Sequence, residues 1–158
     1  MPQNTRSINY EADVNVKAFL KLIRYAEHGS ESDRVYYKLY GGKREFTDTS
    51  THPLEEPIEA WGSKSTAAGA YQILNGTWYE AKKRGIASDF TPFSQDKIAI
   101  WLLHTKGAMK HVTSGDVEKA IVAVRGTWVS LPGGSRQQIT MAEAKKRFEK
   151  YVTECNKQ

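Results

Sequence analysis

The run "VNVKAFLKLIRYAEHGS" (residues 14–30) reads as an amphipathic helix over 14–27. Val16, Phe19, Leu20 and Ile23 recur at helical spacing and form one apolar stripe, the face such a helix turns toward a core. The next position on that stripe is Glu27, and His28, Gly29 and Ser30 then stop the helix. A carboxylate at the buried edge of a helix is held away from water, which disfavours its charged form and raises its pKa. Such a group suits proton donation near neutral pH. A glutamate fraying into solvent at a helix end is the competing reading of the same position.

Working outward, residues 1–13 form a polar lead-in. The Tyr-rich alternation "VYYKLYGGKREFTD", with Gly41-Gly42 at its centre, predicts a β-hairpin within 31–53. "LEEPIEAWGS" reads as irregular connection. Thr77 is expected to cap a helix running to Gly85, with Lys82, Lys83 and Arg84 in its last turn. "TPFSQDKIAIWLLHTKG" predicts a nearly apolar, central helix capped near Ser94, and Asp116 caps "VEKAIVAVRG". "TWVSLPGGSRQQ" is a loop. Thr140 and Glu143 form a capping box for a last helix ending near Asn156. The expected fold is α+β, mainly α: a helical lobe and a small β-hairpin lobe, in one domain spanning 1–158.

The chain has 158 residues, a net charge of +5 and a single cysteine, Cys155. One cysteine excludes an internal disulfide framework. The basic balance suits a polyanionic partner without choosing among nucleic acid, membrane and cell wall. The N-terminal segment lacks the apolar core of a signal peptide, and "IAIWLL" is too short to span a bilayer. The expectation is a non-membrane-spanning protein held in the cytoplasm until something releases it.

Several chemistries drop out. His28, His52, His104 and His111 make no zinc pattern, so no metal is expected and a zinc amidase is disfavoured. No phosphate-binding or dinucleotide motif occurs, so no cofactor is expected. No nucleic-acid-binding signature stands out. Carboxylate chemistry remains.

The ordered set "YAEHGS", "YGGKREFTD", "HP", "KSTAAGAYQIL", "FSQD" and "TWVSLPGG" resembles the lambda-phage endolysin family of lysozyme-like lytic transglycosylases, over roughly residues 18–148. The resemblance implies a lysozyme-like fold with two lobes flanking a groove, and the peptidoglycan glycan strand as substrate. It implies Glu27 as the catalytic glutamate, although only Glu27 and Gly29 agree with the family's "SEG"-like motif. Tyr71 and Gln72 match the "G-x-YQ" element that lines the groove. Tyr71 also reads as a core aromatic, whereas an amide such as Gln72 is a useful sugar binder and an awkward core residue. Ser65 and Thr66 are sugar-contact candidates with capping as the plainer alternative. Phe46, Trp61 and Trp128 are candidates for stacking on sugar rings, Trp128 more readily as core.

Gln138 is in register with a glutamine of the family pattern. Arg136 stands where that pattern has a tyrosine, and Tyr37 where it has an aspartate. A guanidinium at that rim can meet a muramyl peptide carboxylate. A dedicated second carboxylate is not evident: Tyr36 lies nine residues after Glu27, and Asp33 and Asp48 are the nearest candidates. The resemblance therefore implies that Glu27 serves as acid and then base, giving 1,6-anhydro products. A hydrolytic lysozyme on the same fold, or a non-catalytic basic wall-binding module, are the alternatives. A monomer, a holin-type pore for access to the wall, and passage from host cytoplasm to periplasm at lysis complete the expectation.

Overall fold

A computed structural model describes residues 8–157. Residues 1–7 of the polar lead-in lie outside the described residues. The remainder of that lead-in is structured. Residues Tyr10–Ala12 form a 3-10 turn, and the Tyr10 ring meets His104 edge-on at 4.7 Å. Asp13 then accepts from the Val16 amide and starts helix α1, Val14–His28.

Helix α1 buries Val16, Phe19, Leu20 and Ile23, the stripe read from the sequence, together with Ala18, Leu22 and Ala26. It packs along α6 (Met141–Asn156), against α4 (Met109–Thr113) and α3 (Pro92–Thr105). Helices α2 (Asn75–Lys83) and α5 (Val117–Val124) complete the helical set. The buried residues form one continuous apolar cluster that extends from α1 to Leu131 and Tyr151.

Asp116 and Thr140 cap α5 and α6 as expected, accepting from the Lys119 and Glu143 amides. Two other starts differ. Helix α2 begins at Asn75, not after Thr77, and the Thr66 hydroxyl accepts the Asn75 amide at 3.1 Å. Helix α3 begins with Pro92 behind Thr91, which accepts from the Ser94 amide; Ser94 lies inside the first turn and is buried. Proline fits there because the first turn has no use for its missing N–H. The five-residue α4 was not foreseen, being too short to show a period.

The β element also lies elsewhere than expected. The Tyr-rich run folds first as a 3-10 segment, Asp33–Tyr37, that buries Val35 and Tyr36. It turns back at Gly41-Gly42 with one isolated bridge, Lys38 to Glu45. The paired strands are β1 (Ile58–Ala60) and β2 (Ser63–Ser65), antiparallel, with Ile58 opposite Ser65. Their connection is Trp61-Gly62, both at positive φ (51° and 75°). Two left-handed central residues are the signature of the hairpin turn whose twist matches its strands. A tryptophan in that conformation is an outlier that the turn must hold in place.

Candidate active-site cleft

Glu27 occupies the last turn of α1, half-buried, at the base of a cleft of about 1120 Å³. Ala26 and Trp128 lie beside it in the cleft wall. The loop that follows α5 contributes Ser130, Gly134, Arg136 and Gln138, and the β side contributes Tyr40, Gly41, Gly42 and Trp61. The Ser130 hydroxyl donates to Glu27 Oε1 at 2.8 Å. Burial nonetheless dominates, and pushes the Glu27 carboxyl up to about 7 despite the opposing pull of Ser130. The acid therefore keeps its proton through mildly acidic conditions and is poised to exchange it at neutrality.

Ser130 was not singled out from the sequence, although "TWVSLPGG" was. The loop that carries it is pinned by its backbone. Arg136 N donates to Val129 O at 3.0 Å and Gln138 N to Ser130 O at 2.8 Å. A side chain at Gly134 would collide with the Val129 carbonyl. The "PGG" segment is thus a close approach of two backbones that keeps Ser130 aimed at Glu27.

His28 lies next to the acid. Its Nε2 donates to the Gly69 carbonyl at 3.0 Å, and burial holds its pKa below the usual histidine range. The same carbonyl receives Gln72 Nε2 at 2.9 Å. Gln72 has φ +48° and reaches the cleft. The turn carrying it is fixed from behind by Gln95, which is fully buried. Gln95 accepts from Ala70 N at 2.9 Å and donates to the Tyr36 and Phe90 carbonyls at 3.0 Å.

Gln72, Arg136 and Gln138 line the cleft with Glu27. Trp61 and Trp128 also border it, whereas Tyr71, Ser65, Thr66 and Phe46 sit elsewhere. Tyr71 is 1% exposed and packs in the core. Its hydroxyl receives Arg24 Nη1 at 2.9 Å and donates to Asp96, which also receives the Tyr36 hydroxyl at 2.8 Å. This polar knot ties α1 to α3 behind the acid, while the Tyr71 carbonyl accepts the Trp128 indole N–H at 2.9 Å. Ser65 accepts from the Ala67 amide at 3.0 Å and Thr66 from the Asn75 amide, so both hydroxyls serve local backbone.

Phe46 packs between Tyr37 and Phe90. Trp128 is buried, but its edge reaches the cleft. Trp61 is 70% exposed at the rim, its ring edge-on to Tyr40 at 5.4 Å. The Tyr40 hydroxyl is held below the ordinary tyrosine range, first by its hydrogen bond with Ser63 Oγ at 2.6 Å and further by the nearby Arg136 guanidinium. Tyr40 and Arg136 thus lie near each other from opposite sides of the cleft.

Among the described residues, the carboxylates lining the cleft are Glu27 and Glu143, and no cluster of potential metal ligands occurs. Glu143 is engaged by Arg147 Nε at 3.0 Å. Asp33 and Asp48 are exposed outside the cleft, and Asp48 accepts from the amide and hydroxyl of Ser50.

The endolysin family model matches residues 17–156. The chain is a member of the endolysin family. Two curated endolysins are similar to it. That of Escherichia phage P2 is 37% identical over 137 residues, 78% of this chain and 83% of the relative. That of Escherichia phage lambda is 35% identical over 126 residues, 77% of this chain and 80% of the relative. The fold of this endolysin is similar to solved structures of bacteriophage lambda lysozyme. The one complexed with a chitohexasaccharide has a TM-score of 0.76 and 31% identity, covering 87% of this chain and 94% of that one. A second lambda lysozyme structure gives 0.70 and 29%, covering 91% and 93%.

Proposed function

We propose that this endolysin cleaves the β-1,4 bond between N-acetylmuramic acid and N-acetylglucosamine in peptidoglycan, as a lytic transglycosylase. The observation that carries the reading is a single available acid in the cleft. Glu27 is protonated up to about pH 7, and Glu143, the other cleft-lining carboxylate among the described residues, is held in an ion pair.

Hydrolytic glycosidases generally need a second carboxylate, to hold a glycosyl intermediate or to activate a water. One acid suffices when the substrate brings its own nucleophile. Glu27 gives its proton to the departing glycosidic oxygen. The muramic 6-hydroxyl then closes on the anomeric carbon and gives its proton back to Glu27. One bond breaks, one forms, and no water is consumed. The tethered hydroxyl also has a large effective concentration over solvent. The lambda lysozyme complex with a chitohexasaccharide supports a glycan as the occupant of the cleft. Exposed Trp61 and half-buried Gln72 are suited to stack on and hydrogen-bond a sugar chain.

Digestion in heavy-oxygen water followed by mass spectrometry tests this. The expected muropeptides carry 1,6-anhydro ends, one water lighter than lysozyme products. Heavy oxygen at the anomeric position, without anhydro species, would show a hydrolase instead.

In the same proposal the enzyme waits in the host cytoplasm and reaches the wall through a pore made by a separate protein. None of the described helices is long and apolar enough to cross a membrane. Production of the enzyme alone in a host with a sound inner membrane is expected to leave the cells intact. Prompt lysis in that setting, without general membrane damage, counts against the pore.

A further inference from the structure

We propose that Arg136 is a specificity residue that binds a carboxylate on the lactyl–peptide branch of the muramic sugar, so that the cleft prefers peptidoglycan strands to uncharged amino-sugar chains. This rests on the reading of the cleft as a glycan-cleaving site.

Arg136 is exposed at the cleft rim. Arg34, Arg84 and Arg147 each have a carboxylate partner at 3.0, 2.8 and 3.0 Å. Among the described residues, no carboxylate lies within ion-pairing distance of Arg136. Its polar neighbour across the cleft is the Tyr40 hydroxyl, a neutral group. The guanidinium charge is therefore uncompensated and faces the groove.

The backbone that carries it is also pinned. Arg136 N bonds Val129 O, Gln138 N bonds Ser130 O, and the Ser130 hydroxyl bonds Glu27. Gln138 Nε2 further donates to the Arg136 carbonyl at 2.9 Å, and Gln137 Oε1 accepts from Gly133 N at 2.8 Å. A short backbone ladder thus connects the main chain at Arg136 to the serine that bonds the acid.

The sugar backbone of the strand is neutral. Its anionic groups hang from the muramic residue, the same sugar whose anomeric carbon reacts at Glu27. A guanidinium fork matches a carboxylate with two parallel hydrogen bonds, which an ammonium cannot reproduce. Two carboxylate sources share this chemistry. In peptide-bearing strands the lactyl carboxyl is consumed in an amide, and the free carboxylates belong to the stem peptide. In peptide-stripped strands the lactyl carboxylate itself is free.

The test compares wild type with Arg136→Gln and Arg136→Lys on soluble peptide-bearing strands and on peptide-stripped strands, and measures binding of neutral chitohexaose. Loss of a charge-assisted bond at a solvated rim is expected to raise KM about tenfold for Arg136→Gln, with kcat nearly unchanged. Lysine should recover part of the loss, and chitohexaose affinity should not move. A rise confined to peptide-bearing strands assigns the stem carboxylate, and one confined to stripped strands assigns the lactyl group. An equal loss on chitohexaose would give Arg136 a merely structural role and overturn the proposal. So would an unchanged KM on both strands with an active wild type. A wild type that cleaves neither strand overturns the glycan reading itself.

Discussion

Glu27→Gln is expected to lower turnover on purified peptidoglycan about 10²–10⁴-fold, the usual worth of a general acid. The amide keeps the shape of the side chain and still accepts the Ser130 hydroxyl, so circular dichroism should be unchanged. It has no proton to give. The same substitution is expected to stabilise the fold in alkaline solution. Burial raises the Glu27 pKa from 4.5 to about 7, so the folded protein holds a proton that the unfolded chain has already lost. Below pH 4.5 both states are protonated and the carboxyl costs nothing. Between there and about pH 7, stability falls as pH rises, and above pH 7 the folded state carries the full cost of a buried charge. A shift of that size corresponds to at most about 3 kcal/mol. Glutamine never ionises, so urea midpoints of the two proteins should agree near pH 4 and diverge at pH 8 in favour of the variant. Wild-type turnover by Glu27→Gln would remove the residue from the mechanism. Parallel stability profiles would remove the buried charge.

Gln95→Leu is expected to destabilise the protein by about 3–5 kcal/mol, because three buried backbone groups lose their partner at once. The Ala70 amide and the Tyr36 and Phe90 carbonyls have their side-chain contact with Gln95 alone in common, and that residue is fully buried. Leucine has similar volume and offers none of these bonds. Gly69 stands so close to the Gln95 amide that any side chain there would overlap it. The turn and the glutamine therefore form one unit, and its loss loosens the segment that presents Gln72 to the cleft. Denaturant unfolding followed by tryptophan fluorescence measures the change. A midpoint within error of wild type would mean that these groups find other partners.

The part of "FSQD" that resembles a functional motif thus works as scaffold. Ser94 bonds Asp89, Gln95 clasps the turn, and Asp96 holds Tyr36 and Tyr71. The residue types were legible, but their role was not. A glutamine with three backbone partners 5 to 59 residues away leaves no local signature. Tyr71 is a similar case: an aromatic beside a cleft residue in sequence, with its hydroxyl turned away into a buried polar knot.

What the sequence by itself determined follows local rules. The α1 stripe ending in Glu27 and the caps at Asp116 and Thr140 need only neighbours three or four residues apart. The hairpin was misplaced because three-residue strands offer too few positions to show alternation. The Tyr-rich run looked more strand-like, but it spends Val35 and Tyr36 on the core. Tertiary structure alone decided which groups meet at the acid. Ser130 lies 103 residues from Glu27 in the chain, and Tyr40 and Arg136 line the same cleft from distant stretches of sequence. The raised pKa of Glu27 is of the same kind. A carboxylate's position on a stripe says that it faces inward, but the degree to which water is excluded depends on what the rest of the chain packs around it.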